Sequence, residues 1–118
     1  MKIHGMLKIN NREYALRYGT NVLQTLEDVD GIYLDRLGDE VSIGTVSKLL
    51  YNGLRGLHPN LSRSQVGDLM DDYFEEGGDL QSLVKTIVLA INKSLGVKSP
   101  QNQEMSVGEL QEANNMPR

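Results

Sequence analysis

The sequence predicts a mainly α-helical fold, a small helical bundle with a short N-terminal β-hairpin and a disordered C-terminal tail. Three observations point there. Apolar residues recur at a spacing of about 3.6 in several segments. Glycines, prolines and capping residues punctuate those segments. The residues from Val97 onward turn to Ser, Pro, Gln, Asn and Glu with few large apolar groups, too little to offset the entropy of ordering them. At 118 residues the chain fits one domain, since domains most often run to about 100–150 residues. We place that domain at 1–96 and the tail at 97–118. Apolar residues make up 39% and aromatic ones only 5%, so the core is expected to be aliphatic.

Met6–Ile9 and Tyr14–Tyr18 alternate in polarity as MLKI and YALRY. Between them Asn10-Asn11-Arg12 can supply the positive φ angles of a tight turn, giving a hairpin over 6–18. Gly19 stops the second strand. Thr20 or Asn21 then caps a first helix whose buried side is Val22, Leu26 and Val29. From Asp30 to Glu40 the pattern fits a short helix or an irregular connector, and the sequence leaves both open.

Ser42 caps the next helix. Its stripe is Ile43, Val46, Leu50, Leu54 and Leu57, with Gly53 and Gly56 weakening the last turn before His58-Pro59 forbids continuation. Ser62 and Gln65 then form a reciprocal capping box ahead of Val66, Leu69, Met70, Tyr73 and Phe74, and this helix ends at Gly77-Gly78. Asp79 caps the last helix, where Leu80, Leu83, Val84, Ile87, Val88, Ile91 and Leu95 carry the strongest period in the chain, closing at Gly96. In the tail, Val107–Ala113 can form a turn or two of helix on a partner.

Composition narrows the chemistry. Without cysteine there are no disulfides, thiol nucleophiles or sulfur-ligated metals, which fits a reducing compartment. No apolar run approaches the roughly 18 residues of a membrane span, and the start MKIHGMLKINNREY has no signal-peptide core, so a soluble intracellular protein is expected. The net charge is −4. Six acids between Asp68 and Asp79 (Asp68, Asp71, Asp72, Glu75, Glu76, Asp79) outweigh it, so no basic surface for nucleic acid is expected.

That acidic run does not match an EF-hand, whose oxygen ligands must fall at set alternating positions around a central glycine. At about 100° per residue, Asp68, Asp71, Asp72 and Glu75 lie opposite the Val66–Met70–Tyr73 stripe and are expected to face water rather than to flank a reacting bond. Asp79 is accounted for as a cap. His4 falls in a terminus expected to be loose, and His58 precedes a proline, where it ends a helix. Ser62 and Ser64 lie in the capping segment, without a nucleophile elbow, and no phosphate-binding glycine motif is present. No catalytic residue, metal ligand or cofactor is therefore expected. The odd features are apolar. Leu89 projects opposite its helix's main stripe and Tyr51 lies at the edge of its own, so each is either buried by a neighbouring helix or part of an interaction patch. Tyr51, Leu89, Asp71 and Glu75 are the candidate partner-binding residues.

Three blocks resemble the tail assembly chaperones of long-tailed bacteriophages and related prophages. They are INNREYALRYGTNVLQTLE, LLYNGLRGLHPNLSRSQV and DDYFEEGGDLQSLVKTIVLAINKSL, in that order over Leu7 to Leu95. The turn has Asn10-Asn11 where the family pattern reads more like Asn-Gly, and the tail after Gly96 has no counterpart. The resemblance implies a non-enzymatic protein of the bacterial host cytoplasm that binds the tape measure protein, keeps it soluble, helps recruit tail tube subunits and is lost from the finished virion. A homo-oligomer is compatible with it. The competing expectations are an acidic helical adaptor that engages a host or phage partner through Asp71 and Glu75, and an enzyme using a divalent ion at Asp68–Asp79.

Overall fold

A computed structural model describes residues 2–37 and 41–97. Strands β1 (Gly5–Ile9) and β2 (Arg12–Leu16) form an antiparallel hairpin. Helices α1 (Thr20–Asp28), α2 (Ile43–Leu54), α3 (Arg63–Glu75) and α4 (Leu80–Ser94) follow, with one 3-10 turn at Leu34–Arg36 between α1 and α2. The expected helical bundle with its N-terminal hairpin is what the chain forms. The tail expected over 97–118 falls, from residue 98 on, outside the described residues.

The hairpin turn is tighter than the three residues expected. Asn10 and Asn11 both take positive φ, 55° and 62°, so two residues complete a turn whose twist matches that of the strands. Arg12 is therefore already in β2, opposite Ile9, and the strand ends at Leu16 rather than Tyr18. Side chains alternate across the pleat. Leu7, Ile9, Tyr14 and Leu16 are buried on one face, and Tyr18 extends that face beyond the strand.

The two edges of the hairpin differ. On the side of β2 that points away from β1, Ala15 N–H is taken up by His58 and, just past the strand, Arg17 N–H by the Gly53 carbonyl at 2.8 Å. On β1 the corresponding main-chain groups of Met6 and Lys8 meet no partner among the described residues.

Helix α1 corrects the sequence reading twice. Its N-cap is Gly19 with no side-chain cap, and Thr20 is already helical. Its buried residues are Leu23 and Leu26, whereas Val22 is only half-buried and Val29 is 71% exposed. The helix stops at Asp28, Gly31 takes φ 69°, and Ile32 swings into the core in the place Val29 was expected to fill.

In α2, Ser42 caps as expected by accepting from the Thr45 amide. The buried residues are Val46, Leu49, Leu50, Asn52, Gly53 and Leu54, while Ile43 is 55% exposed and Leu57 lies beyond the helix end. Gly53 does not merely weaken a turn. A Cβ there would strike the Tyr18 ring, and the tyrosine hydroxyl donates to the Leu49 carbonyl at 2.8 Å. The missing side chain lets the hairpin's last aromatic sit flat on the helix.

The α3 capping box is complete, with Ser62 and Gln65 each serving the other's backbone amide. Val66, Leu69 and Met70 are buried, and the Tyr73 and Phe74 rings meet edge-on at 5.8 Å. Both α3 and α4 end in the same way. Gly77 and Gly96 take φ 100° and 77°, and two backbone bonds, Gly78 N–H to Tyr73 O and Val97 N–H to Asn92 O among them, close a Schellman motif. With Gly78 lying against the Tyr73 ring, the Gly77-Gly78 joint is a fixed corner. Asp79 caps α4 by accepting from the Ser82 amide at 2.7 Å.

Candidate functional site

The acids do not share one role. Asp68, Asp71 and Glu75 stand exposed on α3, as expected. Asp72 does not. It is half-buried and accepts from the Asn10 side-chain amide at 2.8 Å, while Glu76 accepts from the Asn10 backbone amide at 2.7 Å. Both carboxylates clamp the hairpin turn to the end of α3. The signal was present in the sequence only as a turn with positive φ and a run of acids, with nothing to pair them across more than sixty residues. Hydrogen bonds from Ser82 hold the Asp79 carboxyl below its ordinary range. Among the described residues no group of three His, Asp or Glu is placed to hold a metal ion.

Tyr51 is half-buried and engaged. The Arg63 guanidinium lies over its ring, 4.4 Å from the centroid, and also pairs with Asp30 at 3.2 Å. Asp30 in turn accepts from the Asn52 side chain at 2.8 Å. This chain of contacts ties the end of α1 to α2 and α3. Asn52 is fully buried with its Oδ1 unpartnered among the described residues. Tyr51 therefore meets α3 at its first residue, whereas Asp71 and Glu75 lie roughly 12 and 18 Å further along the axis at about 1.5 Å per residue. The four candidate residues form no single cluster with Tyr51 at its centre.

Leu89 is 42% exposed on the outer side of α4. A second apolar surface lies elsewhere on the same helix. Leu83, Ile87, Ala90 and Ile91 are buried, but Leu80, Val84 and Val88 are only half-buried and line a groove with Val41, Gln81 and Lys85, of about 510 Å³. Sequence reasoning assigned these three to the core. The clue was the width of the stripe. From Ala90 round to Val88 the apolar arc covers about 160°, more than the ≳ 100° that packing against one core requires.

The histidines make long-range contacts that the sequence did not show. His4 is not loose, because its Nδ1 accepts the Tyr18 amide at 2.9 Å. His58 Nε2 accepts the Ala15 amide at 3.0 Å, and its ring lies 5.4 Å from that of Tyr14. Burial, then the charges of Arg17, Lys2 and Lys93, pull the His4 pKa below its ordinary value.

No helix among the described residues is long and apolar enough to cross a membrane. Comparison with protein-family models, with curated proteins and with solved structures finds no match.

Proposed function

We propose that this chain is a non-enzymatic tail assembly chaperone that holds the tape measure protein in soluble form in the bacterial cytoplasm and assists tail tube assembly. The observation that carries the reading is the second apolar face of α4. Leu80, Val84 and Val88 recur every four residues along a groove that no other part of the described chain fills. Two turns of an amphipathic client helix, about 11 Å, suit such a groove, with apolar anchors one turn apart. The resemblance over Leu7 to Leu95 supports the same reading.

Co-expression with the tape measure protein of the same tail gene cluster tests it. The soluble yield of that client rises with the native chain, and falls back with Val88→Glu while the variant's circular dichroism stays native. Leu89→Glu separates the two apolar surfaces, since an unchanged rescue removes Leu89 from the site. No increase in soluble client with the native chain refutes the reading.

One observation favours a second reading, an adaptor that engages a basic partner. Asp68, Asp71 and Glu75 line one side of α3 and have no ion-pair partner among the described residues. In that case Asp71→Lys with Glu75→Lys abolishes binding, and added salt weakens it steeply.

A further inference from the structure

The geometry points to an acid-sensitive clasp, in which the chain's two imidazoles tie β2 and its continuation to neighbouring segments only while both are neutral. His4 and His58 are the only histidines in the sequence, and they serve the same strand and its continuation in the same way. Each accepts a backbone N–H, from Tyr18 and from Ala15. A protonated imidazole has no lone pair left in the ring plane, so it cannot accept. Protonation therefore turns each acceptor into a donor facing a donor.

The two contacts anchor different parts of the fold. His4 joins the N-terminal segment to the hairpin's exit, and His58 joins the α2–α3 connection to the middle of β2. Between them in sequence lies the Arg17 N–H, whose acceptor is the Gly53 carbonyl and does not titrate. The charged and titratable groups facing His4 are Arg17, Lys2 and, from α4, Lys93. Tyr14 and Arg12 share the recess of His58. No carboxylate is among those that act on His4. Acid then frees the Ala15 and Tyr18 amides and loosens the hairpin from both the N-terminal segment and the α2–α3 connection.

The contacts also fix the ring tautomers, and in opposite senses. His4 accepts at Nδ1 and carries its proton on Nε2; His58 accepts at Nε2 and carries its proton on Nδ1, the less common form.

Nitrogen NMR of the intact chain at about pH 7.5 reads the tautomers directly. Amide exchange at about pH 7.5 and about pH 5, corrected for intrinsic rates, reads the clasp, with Arg17 as internal control. Opposite tautomers are expected, together with a loss of protection at Ala15 and Tyr18 at least about tenfold greater than at Arg17. The same tautomer in both rings, or three amides that respond alike, overturns the clasp. His4→Asn with His58→Gln places a non-titrating oxygen near each acceptor position. This pair should keep protection at neutral pH and lose the acid response. A variant that fails to fold leaves the native-chain comparison decisive.

Discussion

Single residues hold this fold at points where the main chain comes close. Gly53 is one, since any side chain there collides with the Tyr18 ring. Gly53→Ala should cost about 1–3 kcal/mol in urea unfolding, the usual range for overpacking a filled site. Tyr18→Phe, which keeps the ring but removes the bond to Leu49 O, should cost about 1 kcal/mol. Burial also drives the Tyr18 phenol far above its ordinary pKa, so it stays a donor throughout the accessible pH range. Asp79 behaves in the opposite sense. Its folded pKa lies below 3.8 because the carboxylate accepts from Ser82, so the unfolded chain binds the proton more readily. The cap's contribution is complete above about pH 3.8 and is lost as pH falls through the lower, folded value. Asp79→Asn should flatten that part of the melting temperature's acid dependence, measured by thermal scans between about pH 5 and pH 2.

At the scale of elements, the local signals were the legible ones. The Ser62–Gln65 box, the Ser42 and Asp79 caps and the glycines that end α3 and α4 depend on residues within a few positions of one another, so the sequence contains them whole. The hairpin was readable too, but not its two-residue turn, because Arg12 is polar and its strand position shows only in the pairing with Ile9. Val29 misled because periodicity continued past the point where Gly31 redirects the chain. The turn itself invites a test. Asn11 holds φ 62°, a conformation that glycine adopts without the Cβ penalty. Asn11→Gly should stabilise the hairpin by up to about 1 kcal/mol, read by chemical denaturation, since Asn-Gly is the preferred pair for this turn.

Across the whole molecule, the features that escaped the sequence are long-range pairings between residues of unremarkable type. The histidines on β2, Asp72 and Glu76 on Asn10, and Asn52 on Asp30 each join positions more than a dozen residues apart. The candidate site was half legible. Exposure of Leu89, Asp71 and Glu75 followed from helical phase, whereas the α4 groove was hidden because its residues share a stripe with the core. Asn52 shows how far such pairings reach, since through Asp30 and Arg63 it links α2, α3 and the turn that follows α1. Asn52→Ala should destabilise the fold by about 1–3 kcal/mol, because it strips a partner from the nearly buried Asp30 carboxylate; urea titration of the variant against the native chain checks it.

The unequal sides of the hairpin carry one more consequence. The His58 imidazole and the Gly53 carbonyl take up the Ala15 and Arg17 amides on the β2 side, while Met6 and Lys8 meet no main-chain partner on the β1 side among the described residues. A third strand therefore meets fewer occupied groups beside β1 than beside β2. The two-stranded sheet is thus a ladder with one rail freer than the other.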